Sequence, residues 1–270
     1  MSERTTIIGF DSAWTDKATS PGAVCAIRQT SAGLTFEPPR LATFRQAHDF
    51  IRSEQRLADR VLVALDQPTI VRNASGSRPV DKVAGSLVSW IGGGVQPANR
   101  SKIGMFDDSA PIWRFKEELG AIEDPEAARA ATSGLHIIEV FPALALPSLI
   151  PTQCGRLLGA KYNPERRKTF RLDHWWNVID GVAQFGLARQ IIGLSAWAQS
   201  HRSIVSPRKS DQDLLDAVLC AMVGHSWLSA DRSQLLLIGD LQSGYMVTPA
   251  VGEARARLIA AARTRAVVAK

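Results

Sequence analysis

Runs of apolar residues predict the first half of a β-sheet. The segment from Thr5 to Phe10 is apolar or β-branched and continues into Asp11, which predicts a first strand. Two further strands are predicted over residues 22–28 and 33–36, because the turn-forming triplets Ser-Pro-Gly and Ser-Ala-Gly mark where they begin. This spacing is typical of an antiparallel meander of three strands.

A helix and two more buried strands follow the meander. Apolar residues within 44–51 fall at helical spacing. The segments 60–66 and 134–141 are almost continuously apolar, as strands buried on both faces are. The pattern therefore predicts an α/β fold with a mixed five-stranded sheet flanked by helices.

Residues 67–133 interrupt this pattern between the fourth and fifth strands. They contain the run Gly92-Gly93-Gly94 and few strand-like segments, and short helices are plausible only over 80–90 and 111–119. We interpret this segment as a large insertion or lid within a single domain that spans residues 1–270.

The rest of the chain is mostly helical. Apolar spacings of three and four predict helices over 167–181, 187–201, about 210–229 and 250–268. Ser210 or Asp211 is the expected N-cap of the third of these helices. A short hairpin is expected before the last one, over residues 235–247.

Composition and charge narrow the class of protein. The chain has 270 residues and three cysteines, none in a CxxC pair, which disfavours zinc ribbons and disulfide-stapled domains. The sequence shows neither a signal peptide nor the ~18 uninterrupted apolar residues of a membrane helix. We therefore expect a cytoplasmic protein that is not a membrane protein. The net charge of +6 is compatible with a polyanionic partner and equally with ordinary solubility.

Three acids lie within or at the ends of apolar strands, namely Asp11, Asp66 and Glu139. A buried carboxylate costs several kcal/mol unless it is paired or binds a cation. No Arg or Lys lies within two residues of any of them, so a shared cation is the expected partner. Asp213 and Asp216 lie on one face of the predicted late helix, where small residues follow and allow close packing on the sheet.

Five such carboxylates suit a hard cation, Mg²⁺ or Mn²⁺. Two ions about 3.5–4 Å apart can activate a water and stabilise the leaving oxygen of a phosphodiester. Each acid also has a structural interpretation of its own. Asp11 could belong to a turn, Asp66 could be a cap before Pro68, and Asp213 lies where the helix dipole favours an acid.

Four motifs together resemble a catalogued family. They are Gly9-Phe10-Asp11-Ser12-Ala13-Trp14, Ala64-Leu65-Asp66-Gln67-Pro68, Glu139-Val140-Phe141-Pro142 and Asp213-Leu214-Leu215-Asp216-Ala217. The family is domain of unknown function four-two-nine, described as predicted RNase H-like nucleases, and the resemblance covers nearly the whole chain. It implies an RNase H-like fold.

Within the wider superfamily the chain is similar to RuvC-type resolvases, which carry acids on the first strand, the fourth strand and a late helix. Asp11, Asp66, Asp213 and Asp216 match that layout. Glu139 belongs to the uncharacterised family's own pattern. Arg78 and Asp81 resemble a basic-acidic pair that this family carries in the insertion.

The resemblance implies a two-metal-ion nuclease acting on DNA or RNA. Its catalytic residues would be Asp11, Asp66, Glu139 and Asp216, and Asp213 would complete the metal ligands. Basic residues of the insertion could contact the phosphate backbone or simply be solvated, and they are Arg72, Arg78, Lys82, Arg100 and Lys102. An ATP-binding or phosphotransferase protein, an inactive nucleic-acid-binding module and a homodimer all stay open.

Overall fold

The predicted first strand forms the centre of the sheet. In the computed structural model, which describes residues 4–270, β1 (Thr5–Asp11) is buried along its whole length. It pairs antiparallel with β2 (Gly22–Thr30), and β2 pairs antiparallel with β3 (Gly33–Ala42). On its other side β1 pairs in parallel with β4 (Arg60–Asp66), which in turn pairs in parallel with β5 (Gly134–Glu139). All five predicted strands are therefore confirmed.

The part of the chain from residue 4 to residue 270 forms a sheet of six strands, so the predicted count of five is too low. The sixth, β6 (Ile191–Ile192), pairs in parallel with Leu34 and Thr35 of β3, which gives the order β5-β4-β1-β2-β3-β6. A strand of two residues has no periodicity of its own, and this one lies inside a segment that reads as helical.

The predicted helix over 187–201 is wrong, because the short strand β6 interrupts it. The structure has α6 (Leu172–Ala188) before the short strand and α7 (Leu194–Arg202) after it. Gln190 and Gly193 have φ angles of +53° and +93°, outside the right-handed helical region, and they break the helix on both sides of β6. The apolar residues keep helical spacing across a break that only the backbone reveals.

Helices cover both faces of the sheet. On one face, α1 (Phe44–Gln55) and α3 (Pro111–Leu119) pack on the odd-numbered residues of β4 and the even-numbered residues of β1. On the other face lies α8 (Lys209–Ser229), which is buried along most of its length and shares a core with α6 and α7. Arg208, rather than Ser210 or Asp211, is the N-cap of α8, and its backbone N–H donates to Asp211 over 2.7 Å.

Residues 67–133 contribute helices to both sides of the molecule. The helices expected over 80–90 and 111–119 are confirmed as α2 (Pro79–Trp90) and α3. A further short helix, α4 (Pro125–Ala130), precedes β5. Buried residues of α2 join the apolar core that also contains α5 (Pro142–Leu149), so α2 belongs to the packed body of the protein.

The end of the chain closes over that core. The predicted hairpin is confirmed as β7 (Leu235–Asp240) and β8 (Gly244–Pro249), and the last helix, α9 (Gly252–Thr264), packs against α2. The helix ends before the expected residue 268, because the chain turns back and Lys270 exchanges backbone hydrogen bonds with Leu237 of β7. Within residues 4–270, every helix is too short or too polar to cross a lipid bilayer.

Candidate functional site

Two aspartates end neighbouring parallel strands in the centre of the sheet. The register pairs Asp11 of β1 directly with Asp66 of β4. Because paired residues of adjacent strands project to the same face and the strands lie about 4.8 Å apart, their carboxylates lie side by side. Asp11 is only 8% exposed and Asp66 is half-buried, so the pair lies in a depression of the surface.

The helix α8 reaches these aspartates because small residues let it lie against the sheet. A Cβ on Gly9 would be 2.0 Å from the backbone oxygen of Ala217 and 2.5 Å from the nitrogen of Ala221. A Cβ on Gly224 would be 2.7 Å from Cγ2 of Ile7. Glycine at position 9 is therefore required for the close approach of helix and strand.

That approach brings Asp216 to the aspartates of the sheet. The hydroxyl of Tyr162 donates to its Oδ1 over 2.7 Å, and Nε2 of Gln212 donates to its Oδ2 over 2.8 Å. The charge of Asp216 raises the pKa values of Asp11 and Asp66, so the three carboxylates are close enough to repel one another. We call Asp11, Asp66 and Asp216 the aspartate cluster.

The negative charge of the aspartate cluster is poorly neutralised. Burial raises the pKa of Asp11 well above its usual range, and the charges of Asp216 and Asp66 raise it further. Burial also raises the pKa of Asp66, with Asp216 adding to the effect. The pKa of Asp216 rises to about 6 through burial, although Tyr162 opposes the shift. Within residues 4–270, the carboxylates of Asp11 and Asp66 accept no hydrogen bond.

Lys209 is the cation that α8 places nearest to the aspartate cluster. Its Nζ donates to Asp213, and its charge lowers the pKa of Asp11 and Asp66. Burial would lower the pKa of Lys209, but Asp11 and Asp213 outweigh it and the pKa is raised. Asp213 is thus the ion-pair partner of Lys209 in this conformation, beside the cluster.

The chemistry of the cluster fits a divalent cation, although its carboxylates do not form a closed metal site. In the described part of the chain, no three His, Cys, Asp or Glu side chains form a group arranged to hold a metal ion. The donors themselves are hard oxygens, of the kind that Mg²⁺ and Mn²⁺ prefer, and among residues 4–270 those of Asp11 and Asp66 accept no hydrogen bond.

Glu139 requires a correction, because its cation is an arginine. Arg78 forms a two-pronged ion pair with it, from Nη2 to Oε1 over 2.6 Å and from Nη1 to Oε2 over 2.9 Å. The backbone N–H of Thr69 also donates to Oε2 over 2.9 Å. The register places Glu139 beside Leu65 and out of phase with the paired Asp11 and Asp66. Glu139 is therefore engaged in an ion pair with Arg78, and its role as a metal ligand stays a prediction.

Arg78 requires the complementary correction. Its side chain is fully buried and also donates to Asp81 from Nε and Nη2, over 3.0 and 2.8 Å. Such a side chain cannot contact the phosphate backbone of a bound nucleic acid. We call Arg78, Asp81 and Glu139 the arginine cluster.

A cleft of about 420 Å³ opens above the aspartate cluster, and all three aspartates line it. Its basic side chains are Lys161, Arg166 and Lys209. Positive and negative groups thus face the same enclosed space, which suits a phosphorylated ligand together with a cation.

The remaining basic residues predicted to contact nucleic acid lie away from this cleft. Arg72 and Lys82 are exposed, Lys102 is partly exposed, and Arg100 forms an ion pair with Asp108 and lies over the ring of Trp113. None of the four lines the cleft. A contact between these side chains and a nucleic acid stays a prediction.

Sequence reasoning missed several residues of the site. Lys209 and Gln212 precede Asp213 and Asp216 by four positions, so the helical spacing that selected the aspartates contained this signal too. Tyr162 lies in an irregular segment between α5 and α6 and had no periodic signal.

Comparison with family models gives one match. A family described as "Protein of unknown function (DUF429)" matches residues 9–240, which include every residue of the aspartate and arginine clusters. Neither the curated proteins nor the solved structures gave a match.

Proposed function

Since the chain belongs to this family of unknown function, its activity has to be inferred from its own residues, and we propose that it is a metal-dependent nuclease. The observation that supports this most directly is the aspartate cluster. Two buried carboxylates, Asp11 and Asp216, and the half-buried Asp66 come from two strands and a helix; the charge of Asp216 raises the pKa values of Asp11 and Asp66, and such a group of acids calls for a cation.

The topology supports an RNase H-like interpretation of the fold. The first three strands form an antiparallel meander, and β4 and β5 then extend the sheet in parallel on the other side of β1. The α1 helix connects the meander to β4, and α8 crosses the opposite face. With acids on β1, β4 and α8, this matches the layout that the resemblance implies.

Asp11, Asp66 and Asp216 are the residues that would hold the cations, and Asp213 could join them if Lys209 released it. Bound Mg²⁺ or Mn²⁺ ions would supply activation of water and stabilisation of charge on the leaving oxygen of a phosphodiester. Tyr162 and Gln212 orient Asp216 by donating to both of its oxygens. Lys209 lies where it can balance negative charge next to the cluster.

The direct test is cleavage of a panel of nucleic acids by the whole chain. Single-stranded DNA, duplex DNA, a DNA junction and RNA would each be incubated with Mg²⁺ or Mn²⁺. We expect cleavage of at least one substrate, its loss in Asp11→Asn and Asp66→Asn, and its retention in Asp49→Asn. Asp49 is an exposed acid on α1, on the opposite side of the sheet, and is thus a matched control.

Metal binding should be measured separately from cleavage. Titration calorimetry with Mn²⁺ is expected to give binding to the wild type and little binding to Asp11→Asn. Undiminished cleavage by both aspartate variants would refute the proposal. Binding of Mn²⁺ with no cleavage of any substrate would support the metal site and refute the nuclease activity.

A further inference from the structure

One wall of the cleft is formed by residues 153–169, which we call the wall segment. It is fixed to the end of α2 by backbone hydrogen bonds, from Leu157 to Trp90 and from Gly159 to Ile91, both of 2.9 Å. A Cβ on Gly159 would lie 2.8 Å from the backbone oxygen of Ile91, so only glycine allows this approach. The wall segment is thus held in place although it has little regular structure.

The wall segment carries two basic side chains into the cleft, Lys161 and Arg166. Both line the same cleft, where burial and then the charge of Arg166 lower the pKa of Lys161. Lys161 donates to the backbone oxygen of Gly92, and the guanidinium of Arg166 has no acidic partner among residues 4–270. Two cations without a carboxylate between them are arranged to bind an anion.

The cleft also contains buried acceptors that lack donors. Gln153 is 5% exposed and Gln212 is 7% exposed, and both line the cleft. Among residues 4–270, their Oε1 atoms have no hydrogen-bond donor, and the orientation of Gln212 is fixed by its bond to Asp216. Buried polar atoms normally have a partner, so these two acceptors point to hydroxyl or amino groups on a ligand.

The remaining surface of the cleft is apolar and its size is limited. Ile91, Phe141 and Leu146 contribute to it, and the volume of about 420 Å³ lies within the range of small-molecule sites, roughly 300–1,000 Å³. Such a space can enclose one nucleotide but not a whole DNA duplex, which could meet only its mouth. A single base can stack or pack on the apolar side.

We propose that this cleft binds one nucleotide unit, with its phosphate at Lys161 and Arg166 and its sugar and base near Gln153, Gln212 and Phe141. The cleavage of this nucleotide unit rests on the proposed nuclease function, whereas its binding in the cleft does not. The ligand is then a nucleoside phosphate or an unpaired nucleotide of a strand, and an uninterrupted duplex is expected to bind more weakly. The phosphate lies on the wall segment, whereas the basic residues 72, 82, 100 and 102 lie outside the cleft.

Binding of defined probes to the whole chain tests this proposal. Adenosine 5′-monophosphate, a short single-stranded oligonucleotide, a blunt duplex of the same sequence and inorganic phosphate would be compared by calorimetry. Ca²⁺ would replace Mg²⁺ so that the aspartates are neutralised. We expect the nucleotide and the single strand to bind, and the duplex and inorganic phosphate to bind at least about tenfold more weakly.

Variants of the wall segment then identify the contacts. Lys161→Ala and Arg166→Ala should each weaken nucleotide binding about tenfold or more, as expected for loss of a charged hydrogen bond. Lys168→Ala, an exposed lysine of the same segment outside the cleft, should stay within about twofold. Gln153→Leu should weaken the binding of the nucleotide but not the binding of inorganic phosphate. Thermal unfolding would check that each variant is folded.

The outcomes separate this proposal from the nuclease proposal. Tighter binding of the duplex, equal binding of inorganic phosphate, or unchanged affinity in both basic variants would overturn the nucleotide site even if Asp11-dependent cleavage were observed. Nucleotide binding that depends on Lys161 would uphold the site even if no nucleic acid were ever cleaved.

Discussion

Two buried acidic groups lie at the same edge of the sheet and differ in what neutralises them. Glu139 of the arginine cluster is close enough to raise the pKa of Asp66 in the aspartate cluster. In the arginine cluster, Arg78 forms hydrogen bonds with both of its acidic partners. In the aspartate cluster, Asp11 and Asp66 face each other and Asp216 without such a partner.

The difference shows that burial alone does not identify a functional carboxylate. Burial raises the pKa of Glu139, but the charge of Arg78 and the N–H of Thr69 oppose it. For Asp11 and Asp66, neighbouring carboxylates act in the same direction as burial, and Lys209 opposes them. A buried carboxylate held by a two-pronged arginine has its charge balanced by the protein, whereas one that faces other carboxylates is a candidate for binding a cation.

The largest expected effect is the loss of Arg78. Replacement of Arg78 by Met leaves two buried carboxylates without their cation, and we expect the free energy of unfolding to fall by about 3–5 kcal/mol. Chemical denaturation would measure the change. Arg72→Met, at an exposed position of the same segment, should change it by less than about 0.5 kcal/mol. Equal effects of the two substitutions would contradict the structural role of the arginine cluster.

Opposite effects are expected when one carboxyl of each cluster is neutralised. Without divalent cations, Asp11→Asn should raise the free energy of unfolding by on the order of 1–3 kcal/mol, since it removes a repelled, buried charge. Glu139→Gln should lower it by a similar or larger amount, because Arg78 loses a charged partner. Chemical denaturation in a chelator measures both. Destabilisation by both substitutions would remove the distinction between the clusters.

The pH dependence of stability should show the same repulsion. The folded chain holds protons on Asp216, whose pKa is about 6, and on Asp11 and Asp66 at a pH where the unfolded chain, with carboxyl pKa values near 4, has released them. These groups therefore add stability near pH 4 that is lost as the pH rises through their folded pKa values.

The measurable quantity is the difference between the wild type and Asp11→Asn in a chelator. The variant's advantage should grow between about pH 4 and pH 7, by on the order of 1–2 kcal/mol, and it should shrink when Mn²⁺ is added. The buried His225, whose pKa is lowered to about 4, gives the opposite slope in both proteins and cancels in the difference. An advantage that is constant over this range would contradict the raised pKa of Asp11.

The sequence predicted those parts of the site that depend on local pattern. Continuous apolar runs ending on Asp11 and Asp66 revealed both strands, and the spacing of Asp213 and Asp216 revealed the face of α8. The pairing of Glu139 with Arg78 was missed, because the two are 61 positions apart and only the fold brings them together. Basic residues within two positions of Glu139 in the sequence do not include that partner.

The basic side of the site was missed for a related reason. Residues 67–133 contain many basic side chains and suggested the nucleic-acid surface, but the cleft receives its cations from Lys161 and Arg166. They belong to an irregular segment whose position is set by backbone contacts with the end of α2. Neither periodicity nor charge counts can report such contacts.

The smallest expected effect is that of replacing Lys209. This side chain of α8 partly neutralises the charge of the aspartate cluster. Its side chain is 39% exposed, so its ion pair with Asp213 contributes less than about 1 kcal/mol to folding. Lys209→Gln releases Asp213 and removes a charge that competes with a metal ion. We expect Mn²⁺ to bind several-fold more tightly to this variant, as measured by calorimetry.

Lys168→Gln is the matched control, because it removes one positive charge at an exposed position outside the cleft. Its Mn²⁺ affinity should equal that of the wild type within about twofold, apart from a small change that higher salt suppresses. Weaker binding of Mn²⁺ to Lys209→Gln would mean that Lys209 orients the aspartates for the metal. In that case Lys209 would hold the aspartate cluster in place as Arg78 holds the arginine cluster. The two clusters would then differ only in how far a basic side chain neutralises them.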